Sequence, residues 1–172
     1  MPVYLRMRFI KLGLISIVII TIVLLAISFA LPSHVRISRA INIDAPADSV
    51  MPHLKNLDQW AAWNEVIKDS TLKAIKFSSD QIQTERITIY PVASVKQNWT
   101  GTRWVQPDGR EFESAFDLIR INNYTVTQWY FDFYFKWYRP WEKFASIIYD
   151  KQMGPSMEKS LTQLKALVES SH

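Results

Sequence analysis

Between Leu12 and Leu31 the chain runs LGLISIVIITIVLLAISFAL, twenty residues without a charge. At ~1.5 Å per residue a helix of that length spans roughly 30 Å, the thickness of a bilayer's hydrocarbon core. Ahead of a domain such a segment either anchors the chain or serves as a secretory signal that is cleaved. Arg6, Arg8 and Lys11 before it, with the small residues Ser28 and Ala30 near its end, fit the signal as well as the anchor. The apolar part of a signal runs about 7 to 15 residues, so the length favours the anchor. The three cations before the span outnumber Arg36 and Arg39 just beyond it, which puts the amino terminus in the cytoplasm and the remainder outside. The expected division is a basic flank at 1–11, a transmembrane helix at 12–31 and one domain at 35–169. Cleavage near Ala30 would instead leave a secreted domain, and both readings send it across the membrane.

Charge narrows the partners. The chain has 20 Lys and Arg against 16 Asp and Glu, and without Arg6, Arg8 and Lys11 the rest carries 17 against 16. A near-neutral domain lacks the basic stripe that a phosphate backbone requires, so nucleic acid is not an expected partner. Cysteine is absent, which removes disulfides, thiolate metal sites and cysteine nucleophiles. Of the three histidines, His34 follows the span and His172 ends the chain, leaving His53 as the one internal base, read as a surface or packing histidine. No pair of histidines or carboxylates has ligand spacing with a supporting third, and four glycines build no phosphate loop, so no metal or cofactor is expected. Glu113 and Asp117 share a strand face, but alternation sets them opposite Phe112, Phe116 and Leu118 and hence in solvent. No residue is assigned a catalytic role.

Periodicity supplies the elements. Val35 to Ile43 alternates as a half-buried strand, and Asp44-Ala45-Pro46 starts a helix, with proline at its first position, that carries Val50, Leu54 and Leu57 and is shortened or kinked by Pro52. Trp60, Trp63 and Ile67 fit a second short helix. From Thr71 to Trp137 come five further strands, TLKAIKF, QIQTERITIY, SVKQNWTGTRWV, REFESAFDLIRI and YTVTQWYFDFYFKW, parted by turn residues. On the last of them Thr125, Thr127, Trp129, Phe131, Phe133, Phe135 and Trp137 share one face. Beyond Pro140 an apolar stripe of Phe144, Ile148, Met153, Met157, Leu161, Leu164 and Val168 makes a terminal helix, broken at Gly154-Pro155. The class is α+β, an antiparallel sheet whose apolar face needs that helix as cover.

The stretches ISRAINIDAPADSV, LDQWAAWNEV and WEKFASIIYDKQMGPSMEKSLTQLKALVES resemble the START-like or Bet v 1-like superfamily, in particular its polyketide cyclase and lipid-transport (SRPBCC) group, over about residues 35–169. The resemblance implies a helix-grip fold, a curved antiparallel sheet of seven strands around the terminal helix with a cavity between them; six strands are placed here. It also implies an apolar ligand such as a lipid, sterol or polyketide, carried or, in some members, transformed. A noncatalytic binder or carrier of a lipid-like molecule is the reading favoured, ahead of a cyclase or dehydratase type of enzyme and of a ligand-free interaction domain. Its pocket is expected to be lined by Trp63, Trp99, Phe116, Trp129, Phe131, Phe133, Phe144, Ile148 and Met157. In the implied fold the first and last strands pair antiparallel, which brings KWYRPW to the end nearest the span. There Lys136, Trp137, Tyr138, Arg139 and Trp141 are expected to meet the membrane surface.

Overall fold

Three long strands with alternating side chains frame the domain: β1 (His34–Ile43), β6 (Glu111–Ile121) and β7 (Tyr124–Tyr134). In this computed structural model residues 3–30, 32–68, 74–94, 96–136 and 140–171 are described, except for the side chains of 3–6 and 140–147. The remaining elements are α1 (Val3–Ala30), α2 (Ala47–Lys55), a 3-10 turn (Leu57–Gln59), α3 (Trp60–Trp63), β2 (Lys76–Phe77), β3 (Ile82–Gln83), β4 (Thr88–Val92), β5 (Trp99–Val105) and α4 (Pro140–Ser170). The sheet order is β1-β7-β6-β5-β4-β3-β2 with every neighbour antiparallel. It is a helix-grip fold, seven strands closed on one face by α4 and the short helices.

Parity sorts β7 as the sequence requires. Thr125, Thr127, Trp129, Phe131 and Phe133 are buried on the inner face, where Met157, Leu161, Leu164 and Val168 of α4 meet the core. β1 pairs with β7 from His34 opposite Tyr134 to Ile43 opposite Thr125. The start of the first strand therefore lies beside the end of the last.

Local chemistry explains where the elements depart from expectation. The stretch QIQTERITIY divides into β3 and β4, because the Thr84 hydroxyl accepts from the amides of Arg86 (3.2 Å) and Ile87 (2.9 Å) and turns the chain between them. That division supplies the seventh strand. Of TLKAIKF only Lys76–Phe77 is strand, and Ala74, with φ of 53°, takes a left-handed turn that ends any extended run; residues 71–73 lie outside the described part. The predicted second helix shrinks to the single turn Trp60–Trp63, and Pro46 caps α2 instead of entering it. Conversely, α4 runs unbroken for 31 residues through Gly154-Pro155. Burial of Met157, Leu161, Leu164 and Val168 outweighs the hydrogen bond that proline removes.

α1 begins earlier than the apolar run, at Val3, and its segment Met7–Ala30 is 24 residues long with little of it covered by the rest of the chain. By length and composition it fits a membrane span or a signal sequence.

Candidate functional site

The interior of the sheet has two unlike regions. Towards the end of the sheet marked by Ile43 and Tyr124, the short helices press Trp60 and Trp63 onto Phe116 and Trp129, all at 0–1% exposure. Ring centroids lie 5.9 Å apart for Trp63 and Phe116, 6.1 Å for Trp63 and Trp129, and 5.0 Å for Phe116 and Trp129. Each indole N–H is satisfied: Trp60 donates to the Leu54 carbonyl, Trp63 to that of His53, Trp104 to the Thr102 hydroxyl and Trp129 to the Ser114 hydroxyl. Aromatic rings with satisfied polar tips pack as solid core.

The other end, where β1 starts and β7 finishes, stays open. A cleft of about 620 Å³ lies between the β5–β6 turn, the last residues of β7 and the first half of α4. Its wall is Phe112, Phe133, Phe135, Tyr149 and Met153; its rim is Gln106, Asp108, Arg110, Glu111, Lys136 and Gln152. The rings form a ladder into the core, with centroids 5.4 Å apart for Tyr149 and Phe133, 5.1 Å for Phe133 and Phe112, 5.6 Å for Phe112 and Trp104, and 5.1 Å for Trp104 and Phe131. At the rim Gly109 adopts φ of 80°, a conformation that closes the tight turn from Gln106 to Arg110. The Asp108 carboxylate accepts from the Arg110 amide and from its guanidinium at 2.7 Å. The Arg110 amide and guanidinium hold that carboxyl below its ordinary range.

The aromatics nominated from sequence divide between these regions. Trp63, Phe116, Trp129, Phe131 and Met157 come together in the packed interior, where rings in contact fill the space. Phe133, 8% exposed, lines the cleft. Trp99 joins neither: strand parity sets it on the outer face over Gly101, with its indole N–H donated to the Tyr130 hydroxyl at 3.0 Å. Ile148 is 54% exposed, because the α4 stripe steps back from Met157 to Met153 to Tyr149, one residue away. The Phe144 side chain lies outside the described part. Sequence reasoning missed Phe112, Phe135, Tyr149 and the 106–110 turn as cleft residues. The four-residue step from Met157 and the parity of Phe135 with Phe133 were the available signals. Of the expected membrane-surface residues, Lys136 stands on the cleft rim, while Trp137, Tyr138, Arg139 and the Trp141 side chain lie outside the described part.

On the outer face at this same end, the buried Asp132 carboxylate accepts from His34 Nε2 at 2.7 Å and from both Nε and Nη2 of Arg36 at 2.8 and 2.7 Å. Burial pushes the carboxyl up, and the hydrogen bonds and charges of Arg36 and His34 outweigh it, holding Asp132 below its ordinary value. His53 lies on α2 with its Nδ1 unpaired, and Glu113 is exposed on the outer face, so neither reaches the cleft. Among the described residues no three His, Cys, Asp or Glu side chains gather to hold a metal.

Residues 34–169 match the family described as polyketide cyclase / dehydrase and lipid transport. Comparison with curated proteins gives no match. Among solved structures the chain is similar to a START superfamily protein from Mycobacterium smegmatis, with 16% identity, 80% of this chain and 99% of that one covered, and a TM-score of 0.57. It is also similar to the Zhui aromatase/cyclase from Streptomyces sp. R1128 (10% identity, 79% and 94% covered, TM-score 0.55). A third is norcoclaurine synthase from Thalictrum flavum (7% identity, 80% and 96% covered, TM-score 0.60). At these identities the structural likeness establishes the fold alone.

Proposed function

The chain belongs to the polyketide cyclase / dehydrase and lipid transport family, and on that footing we propose that it is a membrane-anchored binder or carrier of one hydrophobic, lipid-like molecule. The observation that carries this reading is the cleft of about 620 Å³, above the roughly 300 Å³ below which a lipid-sized guest has no room. Its wall of rings and the flexible Met153 suit an adaptable apolar guest. In this reading Phe133 touches the ligand, and Trp63, Phe116, Trp129, Phe131 and Met157 are the solid floor behind it. Binding is preferred to cyclase or dehydrase catalysis because, Tyr149 apart, the ionisable side chains of the cleft are exposed at its rim and not set among the rings.

The same reading takes 1–11 as a cytoplasmic basic flank, 12–31 as the span and 35–169 as the domain outside, with Lys136, Trp137, Tyr138, Arg139 and Trp141 at headgroup level. Amino-terminal sequencing of the membrane fraction checks the anchor, and a mature chain beginning at Leu31 would end it. Native mass spectrometry of the full-length chain released from detergent should show one apolar adduct, identified by solvent extraction. Met153→Trp, which fills the cleft from α4, should reduce that adduct at least tenfold. Equal adducts on both proteins would place the ligand elsewhere, and none on either would leave a ligand-free domain.

A further inference from the structure

The cleft and the apolar helix meet at one end of the domain. Only residues 31–33 separate Ala30, the last residue of α1, from His34, the first of β1. At ~3.3–3.6 Å per extended residue, His34 stands within about 14 Å of the helix end. Beside it, His34 pairs with Tyr134, and the Phe135 amide donates to the Ser33 carbonyl at 2.8 Å. Phe133 and Phe135 are themselves walls of the cleft, and Lys136 stands on its rim. A tether this short, joined to β1, which pairs with the strand that borders the opening, cannot carry the mouth away from the bilayer that holds α1.

The shape of the cleft limits what enters. Trp104 and Phe131, at 1% and 0% exposure, close its inner end, so a guest cannot be swallowed whole and one part of it stays at the rim. The rim carries both signs of charge, Arg110 and Lys136 with Asp108 and Glu111, around a wall of rings. About 620 Å³ accommodates a single acyl chain with part of its head, and a two-chain phospholipid exceeds it.

Resting on the reading of the cleft as a ligand site and of α1 as an anchor, we infer that the cleft draws a single-chain zwitterionic amphiphile directly from the leaflet to which the chain is tethered. The acyl chain lies among Phe112, Phe133 and Phe135, and the head stays between Arg110 and Glu111. The partner surface of this end of the domain is thus its own membrane, and the ligand moves between leaflet and cleft without crossing bulk water.

The test uses the full-length chain in phosphatidylcholine vesicles with a small fraction of lysophosphatidylcholine bearing a photoreactive diazirine on its acyl chain. Illumination should label peptides containing Phe112, Phe133 or Met153 as well as α1. A second protein carries twenty Gly and Ser residues inserted between Pro32 and Ser33, a coil of roughly 25 Å root-mean-square length. In vesicles its cleft labelling should fall at least fivefold relative to α1, while in detergent micelles with the same probe both proteins label the cleft equally. Cleft labelling of the lengthened protein within twofold of the parent in vesicles would overturn the leaflet route and leave the ligand site standing. No cleft labelling of either protein in micelles would overturn the ligand site and the route together.

Discussion

The two halves of α4 lie along one sheet and meet it differently. From Met157 to Val168 the helix buries Met157, Leu161, Leu164 and Val168 completely, against a core that α2 and α3 close from the side. From Tyr149 to Met153 it stands over the cleft with both side chains half-buried, facing the 106–110 turn and the end of β7. The packed half is joined to the domain by Met157, Leu161, Leu164 and Val168 and by the pair of Lys159 with Glu65, the open half by the ring contact of Tyr149 with Phe133 and by Arg39, which reaches Asp150 in the open half and Glu158 in the packed one. Where stability is concentrated in one region, the other is free to keep a volume unfilled.

Neighbouring phenylalanines on one strand make the strongest test of that contrast. Phe131 is fully buried and touches Trp104, Trp129 and Phe112, whereas Phe133 faces the cleft. Phe131→Ala should cost about 3–5 kcal/mol, because its surroundings cannot collapse into the space left. Phe133→Ala should cost about 1–2 kcal/mol, since part of its contact area already borders an opening. Urea unfolding of the full-length chain in detergent, followed by tryptophan fluorescence, measures both. Equal losses would mean that the open half is packed as tightly as the other.

This contrast was half legible in the sequence. Alternation along YTVTQWYFDFYFKW fixed the inner face of β7, since a strand's period of two admits no intermediate phase. A helical stripe is less exact. Ile148 and Tyr149 are both apolar enough to continue the line from Met153, and the four-residue step from Met157 selects Tyr149 over Ile148. Trp99 lies on the outer face by parity with Gly101 and opposite to Trp104, and the Tyr130 hydroxyl that accepts its indole N–H there is 31 residues away in sequence. The strand count missed the Thr84 hydroxyl, whose bonds to two amides divide β3 from β4. The cleft itself had no local signature: it exists because three short helices cover one end of the sheet and not the other, a property of topology.

Acid should weaken the open end of the sheet at Asp132. Asp132 has a folded pKa below its unfolded value, so its ion pairs stabilise the fold above an unfolded pKa of about 3.9 and that contribution is lost as pH falls through the folded value. Arg36 and His34 are each close to half exposed, and solvent screening limits the contribution to about 1 kcal/mol. The parent should therefore lose stability below about pH 4, and Asp132→Asn, less stable at neutral pH, should show a flatter profile there. Identical acid limbs for the two proteins would show that the edge between β1 and β7 owes nothing to this carboxylate.

The smallest effect concerns the boundary between the two halves, at Gly154. This glycine is buried, and a Cβ built on it would overlap the Arg39 guanidinium. From that position Arg39 reaches Asp150 at 3.0 Å on one side and Glu158 at 2.7 Å on the other, and it clamps the helix where Pro155 weakens it. Alanine in mid-helix is ordinarily worth about 0.5–1 kcal/mol over glycine. Two costs oppose it here, the crowding of a Cβ by the ring of the following proline and the displacement of Arg39. The carboxylates are more than half exposed, so losing their pairs costs only about 0.3–1 kcal/mol. Gly154→Ala alone should thus be nearly neutral and would decide nothing. The informative quantity is its difference between the parent and an Arg39→Met background, which keeps the apolar stem of the side chain and removes the guanidinium. The proline's effect is common to both and cancels, so Gly154→Ala should be about 0.5–1 kcal/mol more favourable in the Arg39→Met background, where the side chain is shorter and uncharged, than in the parent. The same value in both backgrounds would remove Arg39 from the boundary and leave the open half of α4 without its clamp.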